Sequence, residues 1–197
     1  MKQRIELFFD FRSPYSYLAF TQLLQIEAAL VLRPMQVLKV MAQVGNTPTT
    51  LLCKPKGAYA NIDLARWASR YGIALNPSDM MRNDGDGCAR AVLAVGSPED
   101  AVAVATILYR AIWSEGVALT GTQEIIAALS AAGLETDTIA ARIDSQAVAA
   151  LLAANSDEAA QRGVFGSPTM FVGDQMFFGN DRLDFLRAAL LSSARAA

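Results

Sequence analysis

Ile5 to Ala19 reads IELFFDFRSPYSYLA, and the change of pattern inside this stretch decides the fold. Ile5 to Phe11 is a short apolar run rich in aromatics, strand-like by length and composition. Arg12-Ser13-Pro14 stops it. Beyond the stop, Tyr17, Phe20 and Leu24 recur at helical spacing, which puts Ser13 at a helix N-cap. Pro14 then takes the first helical position, where a missing N–H costs nothing. A second strand at about Leu30 to Pro34 follows, so the chain opens β-α-β, with the helix as the crossover that parallel strands require.

From about Ala58 to Arg162 the pattern changes to Ala- and Leu-rich segments with helix start signals and almost no β-branched alternation. Ser97-Pro98-Glu99-Asp100 supplies a cap, a proline and two acids ahead of Ala101 to Trp113. Thr120 with Gln123 and Asn155 with Glu158 have capping-box spacing, and Gly133 and Gly163 stand where helix C-caps are expected. Strand character returns in Thr169 to Val172 and Gln175 to Phe178, around a Gly173-Asp174 turn. A last amphipathic helix is expected from about Asp181 to Arg195, with Leu183, Leu186 and Leu190 on one face. With the helical middle removed, the order is β-α-β then β-β-α, the order of an α/β thioredoxin-like fold. The expected organisation is a thioredoxin-like domain from 1–57 and 163–197 with an all-helical insertion domain at 58–162.

Composition narrows the chemistry. The chain of 197 residues contains no histidine, which removes Ser-His-Asp and Cys-His catalysis and His-ligated metals. A net charge of -2 without a basic run argues against nucleic acid as a partner. Met1 to Glu6 carries Lys2, Arg4 and Glu6, and Asp10 and Arg12 interrupt what would be a signal peptide's apolar stretch. Glu99, Asp100 and Arg110 break the greasiest region, Ala91 to Trp113, before it reaches membrane-spanning length. The expectation is a soluble cytoplasmic protein with no membrane partner. Cys53 and Cys88 form no CxxC and are expected as reduced thiols.

Ser13-Pro14-Tyr15-Ser16 sits where thioredoxin-superfamily disulfide oxidoreductases with a helical insertion carry Cys-Pro-x-Cys, here with both thiols replaced by hydroxyls. With FDFRSPYSYLA (Phe9 to Ala19), GN (Gly45-Asn46), KPKGAY (Lys54 to Tyr59), DLARWASRYGI (Asp63 to Ile73) and FGSPTMFVGDQMFFGNDRL (Phe165 to Leu183), the chain resembles a known family over essentially its whole length. That family is the glutathione-dependent 2-hydroxychromene-2-carboxylate isomerases, together with the related kappa-class glutathione transferases. Two departures stand out: Ser167 precedes Pro168 where many relatives have an apolar residue, and Ala74 stands where proline is usual.

The resemblance implies glutathione as cofactor, a small aromatic carboxylate as substrate and Ser13 as the group that stabilises the glutathione thiolate. It implies a cis Ser167-Pro168 peptide that pairs with the cysteinyl part of glutathione. Asn180 and Asp181, opening the last helix, would take the γ-glutamyl end, while Asn46 and Lys56 would take the peptide and the glycyl carboxylate. Ser16, inside the first turn, is expected to satisfy itself on local backbone. Tyr15, Tyr17, Trp67, Trp113, Phe177 and Phe178 are candidates for lining an aromatic pocket, although aromatics at such spacings also serve as core. No metal site is expected, in keeping with the absence of histidine. A kappa-like transferase, a redox-dead binding module and a disulfide oxidoreductase are the alternatives, and the last lacks its cysteine. Monomer and homodimer both stay open.

Overall fold

The computed structural model describes residues 3–196, so the reading of Met1 and Lys2 lies outside the described residues. Strand β1 (Arg4–Phe9) leads through a turn into α1 (Pro14–Leu23), which returns the chain to β2 (Ala29–Pro34). β1 pairs with β2 in parallel, Ile5 against Leu30 and Leu7 against Leu32. Its other edge pairs antiparallel with β3 (Thr169–Val172), which forms a hairpin with β4 (Gln175–Phe178) through Gly173 at φ 58°. The order β2-β1-β3-β4 is the expected thioredoxin-like sheet.

Because β1 lies in the middle of a sheet covered on both faces, it is apolar almost throughout. Ile5, Leu7 and Phe9 join the large core, and Phe8, pointing the other way, packs with Met35, Val40, Val164 and Phe171. The strand ends at Phe9 rather than Phe11, because the Asp10 carboxylate accepts the Arg12 N–H at 2.9 Å and bends the chain into the turn. Phe11 stays in the core beside Tyr109, with ring centroids 4.5 Å apart.

Between the two halves of the sheet lie α2 (Val37–Gln43), α3 (Thr49–Leu52), α4 (Lys54–Tyr71), α5 (Gly85–Ala94), α6 (Pro98–Tyr109), α7 (Thr122–Ala131), α8 (Asp137–Arg142) and α9 (Gln146–Gln161), and α6 runs on into a π-helical turn, Arg110–Ser114. Residue 58 falls inside α4. One apolar core runs from β1 and α1 into this helical part through Cys88, Val92, Leu108, Ile112, Leu129 and Ile143. The Ser97 cap behaves as expected, its hydroxyl accepting the Asp100 N–H at 3.1 Å. Gly133 and Gly163 both take positive φ after α7 and α9.

The two capping-box expectations fail. α7 begins at Thr122 after Gly121 with no side-chain cap, because Thr120 follows a segment held by long-range bonds: Asn83 Oδ1 accepts the Leu119 N–H at 2.8 Å. α9 starts ten residues before Asn155, at the cap Ser145, and its Ala-rich sequence has nothing to stop it. Asn155 is buried mid-helix and donates its side-chain amide to Pro34 O at 3.1 Å, tying α9 to β2. The last helix, α10 (Leu183–Ala196), buries Leu183, Leu186 and Leu190 as expected, but Asn180 and Asp181 do not open it. They form a separate 3-10 turn, Asn180–Arg182, because Tyr71 Oη donates to Asn180 O at 2.9 Å and pins that residue against α4.

Candidate active site

The site is built where β1 ends, α1 begins and the turn before β3 comes alongside. Ser13 is the N-cap of α1, as the sequence requires, and its Oγ accepts the Ser16 N–H at 3.3 Å. The first amides of this ten-residue helix and the positive end of its dipole lie at the same point. The Ser13 hydroxyl donates to the carbonyl of Ser167 at 3.0 Å. Ser167-Pro168 is a cis peptide.

Ser16 departs from expectation. Fully buried, it reaches across the fold, its Oγ 2.6 Å from Ser167 Oγ, which also accepts the Asp10 N–H at 3.0 Å. The local-backbone reading fails because the serine before Pro168 offers a hydroxyl in the position Ser16 faces. Behind them Tyr109 is enclosed, its hydroxyl without a hydrogen bond of normal geometry among the described residues. Burial, then the Asp10 charge, pushes that phenol's pKa well up, with the Ser16 hydroxyl acting the other way.

A charged cluster that sequence reasoning missed holds the turn. Asp10 is 2% exposed and takes Arg12 Nε and Nη2, each at 2.9 Å, together with the backbone N–H groups of Arg12 and Val37. Arg12 Nη2 also reaches Asp86 at 2.6 Å, and Gln36 Nε2 donates to the same carboxylate at 2.7 Å. A Cβ on Gly85 would stand 2.9 Å from the Arg12 side chain, so the guanidinium lies across a helix start that only glycine leaves open. Burial alone would lower the Arg12 pKa, but the Asp10 and Asp86 carboxylates raise it above its ordinary value. The one local signal was an aspartate and an arginine beside the cap, and their partners lie elsewhere in the chain.

The outer residues are spread around this centre. Asn46 donates its amide to Phe165 O at 2.7 Å, just before the cis peptide. Lys56 Nζ donates to Thr49 Oγ1 at 3.1 Å at the mouth of a cavity of about 440 Å³ that Tyr15 and Tyr59 also line. Tyr15 Oη donates to Asp63 at 3.0 Å, and burial followed by that carboxylate pushes the Tyr15 pKa up, so it stays a donor. Asn180 is buried against Tyr71, whereas Asp181 is exposed and pairs with Arg182. Gly179, at φ 90°, brings Asp181 Oδ1 to 2.6 Å from where a Cβ would stand, so any side chain there would displace the carboxylate. An open hollow of about 800 Å³ along α4, between Asn61 and Arg70, contains none of these residues.

Of the aromatic candidates, Tyr17 and Trp113 are buried and spend their polar atoms on Ala74 O and Phe11 O, each at 2.9 Å. Trp67 packs on Tyr71, Phe177 against the large core, and Phe178 on Phe165. Tyr15 alone of the six lines the cavity at Lys56.

Cys53 lies at the α3–α4 junction, and Cys88 is fully buried in α5. Burial pushes the Cys88 thiol up, and the Asp84 and Asp10 carboxylates push the same way, which keeps it protonated and unreactive. A Cys53→Ser, Cys88→Ala double variant should therefore keep at least about half of wild-type turnover per folded molecule. Loss of all turnover in a variant with native circular dichroism would make one thiol essential. No helix among the described residues is long and apolar enough to cross a membrane.

Residues 4–191 match the model of the DSBA-like thioredoxin domain. The chain is 36% identical over 197 positions to the 2-hydroxychromene-2-carboxylate isomerase of Sphingobium xenophagum, covering 97% of this chain and 100% of that one. It is 30% identical to human glutathione S-transferase kappa 1, covering 94% of this chain and 90% of the transferase. A solved structure of a 2-hydroxychromene-2-carboxylate isomerase superposes with a TM-score of 0.87 at 30% identity, covering 98% of this chain and 97% of that one.

Proposed function

This chain belongs to the family of DSBA-like thioredoxin domains and, within it, to the 2-hydroxychromene-2-carboxylate isomerases, and on that premise we propose that it interconverts 2-hydroxychromene-2-carboxylate, or a ring-fused homologue, and trans-o-hydroxybenzylidenepyruvate with glutathione as its cofactor. The observation that carries this reading is the pairing of the Ser13 hydroxyl, at the start of α1, with the Ser167 carbonyl at 3.0 Å, in a site that has hydroxyls where a redox pair would need thiols. The residues fit the tripeptide: Ser167 lies just before β3 and its N–H has no acceptor among the described residues, Lys56 offers a cation at a cavity, and Asp181 offers an exposed carboxylate.

Glutathione, when bound, supplies a thiolate that adds reversibly to the conjugated double bond of the ring-opened substrate, so that the bond can rotate before the thiolate leaves. The chain's own residues hold and orient. Ser13 donates a hydrogen bond to the sulfur, assisted by the α1 dipole, and a bond to a charged acceptor is worth about 1.5 to 3 kcal/mol. Since about 1.4 kcal/mol moves a pKa by one unit, this depresses a thiol's pKa by roughly one to two units. Ser167 pairs in extended fashion with the cysteinyl backbone, ahead of Pro168. Asn180 and Asp181 take the γ-glutamyl end, with Asp181 on its ammonium, and Asn46 and Lys56 take the peptide and the glycyl carboxylate. β1, α1, β2, β3, β4 and α10 carry the thioredoxin-like half of the site, and the helices from α4 to α9 form an insertion that shares its core. This moves the expected boundary from 57/58 back to the start of α4, because that helix runs unbroken from Lys54 to Tyr71. The cofactor and the two free thiols suit a reducing cytoplasm.

Asp181→Ala should raise the glutathione dissociation constant about tenfold, the low end for a charge-assisted contact because this carboxylate is exposed. An unchanged constant by calorimetry would move the γ-glutamyl site elsewhere. The kappa-class likeness makes a transferase the second reading. Mass spectrometry of the product separates the two: an isomer has the substrate's mass, whereas a conjugate retains the glutathione.

A further inference from the structure

Two demands meet on the Ser13 hydroxyl. Its hydrogen lies on the Ser167 carbonyl at 3.0 Å, whereas its proposed role needs that hydrogen on a sulfur, and a hydroxyl has only one. The geometry points to a hand-over: the Ser167 carbonyl holds the Ser13 hydrogen until a peptide N–H of the incoming thiol compound replaces it there, and only then does Ser13 donate to the thiolate. Ser167 is thereby a positioning residue that makes thiolate stabilisation conditional on an amide beside the thiol, selecting a cysteinyl peptide over a small thiol. The inference rests on the glutathione reading of the site.

Three features carry it. The Ser13 oxygen is anchored, because it accepts the Ser16 N–H at 3.3 Å, so rotation about Cβ–Oγ redirects the hydrogen while the oxygen stays in place. The Ser167 peptide is anchored as well. Its side chain is tied to the Asp10 N–H at 3.0 Å and to the buried Ser16 hydroxyl at 2.6 Å, and the next carbonyl, Pro168 O, accepts the Gly179 N–H at 3.0 Å. Finally, Ser167 precedes β3, so its carbonyl is not spent in the ladder, and the hydrogen bond it accepts among the described residues is the one from Ser13.

Once a bound thiol compound covers the half-buried Ser167, turning the hydroxyl leaves that carbonyl without a donor, which costs about as much as the hydroxyl gains on a thiolate. For a thiol without an adjacent N–H the turn of the hydroxyl therefore brings nothing. An amide that replaces it on the carbonyl removes the cost. The thiol's proton leaves to solvent, and Ser13 keeps its own.

The test compares glutathione with its analogue in which the cysteinyl N–H is replaced by an ester oxygen; both retain the thiol, the two carboxylates and the ammonium. Thiolate absorbance in the ultraviolet against pH, with protein saturated by either compound, should show the glutathione thiol falling by about one pKa unit or more on binding. The analogue, left with the α1 dipole alone, should fall by about one unit less than glutathione. Equal falls would overturn the hand-over while leaving the glutathione reading intact, whereas no fall for glutathione would overturn that reading itself. A second measurement does not depend on the analogue binding. With 13C-carbonyl serine and 15N-proline labels, the Ser-Pro pairs at 13, 97 and 167 give resolved carbonyl resonances. Ser13→Ala should shift the Ser167 resonance in the free protein and leave it unchanged under saturating glutathione. A shift in both states, or in neither, would overturn the proposal.

Discussion

Ser13→Ala should lower turnover at neutral pH by about 10- to 100-fold, with much of the loss recovered at alkaline pH. The magnitude follows from losing a hydrogen bond to a charged acceptor, about 1.5 to 3 kcal/mol, at roughly 1.4 kcal/mol per factor of ten. Recovery is expected because at high pH the thiolate forms without help, so the defect is one of protonation. The same substitution removes the cap of α1, since Ser13 Oγ accepts the Ser16 N–H, and a lost serine cap costs about 1 kcal/mol of stability. Ser13→Gly separates the two effects, because glycine at a cap costs only a few tenths of a kcal/mol. Both variants should show the same displaced pH–rate profile, with Ser13→Gly close to wild type in thermal unfolding. A flat loss at every pH in both would assign Ser13 to helix capping alone.

Asp10→Ala should cost about 2 to 4 kcal/mol of folding stability, mostly from two backbone donors left without their acceptor, because the Arg12 guanidinium is 38% exposed and keeps Asp86 as a partner. Asp10 is 2% exposed and accepts from the Arg12 guanidinium through two nitrogens and from the N–H groups of Arg12 and Val37. Its removal leaves two backbone donors without their acceptor and the partly exposed guanidinium with Asp86 alone. Asp86 holds the outer side of the same guanidinium but is itself partly exposed, and Asp86→Ala should cost about 1 kcal/mol or less. Against a usual total of about 5 to 15 kcal/mol, the first change is severe and the second barely visible in urea denaturation. Similar midpoints for the two variants would mean that the turn before Ser13 does not depend on Asp10.

The turn from β1 into α1 was legible because each signal in it is local: an apolar run, a serine cap, a proline at the first helical position. The β3–β4 hairpin was legible for the same reason, and its bounds match the expected ones. What the sequence did not show is made of distant pairs. Ser16 meets Ser167 across 151 positions and Arg12 meets Asp86 across 74, and no spacing rule reaches that far. The two capping boxes misled for the converse reason. At Thr120 the local pattern lost to the long-range bond that Asn83 makes to Leu119, and at Asn155 to an earlier cap, Ser145, whose helix runs on and leaves the Asn155 amide to bond Pro34. The cis peptide before Pro168 came from the family resemblance, because nothing around Ser167 marks it locally.

Glutathione is expected to act as a catalyst at this site and not to be consumed. Protein freed of small thiols by dialysis, mixed with 2-hydroxychromene-2-carboxylate and followed by the ultraviolet spectrum, should produce no trans isomer above the uncatalysed rate. Glutathione added at a small fraction of the substrate concentration should start the reaction, carry it to equilibrium and be recovered unchanged by mass spectrometry. Full activity without glutathione, or loss of one glutathione per product formed, would contradict the account.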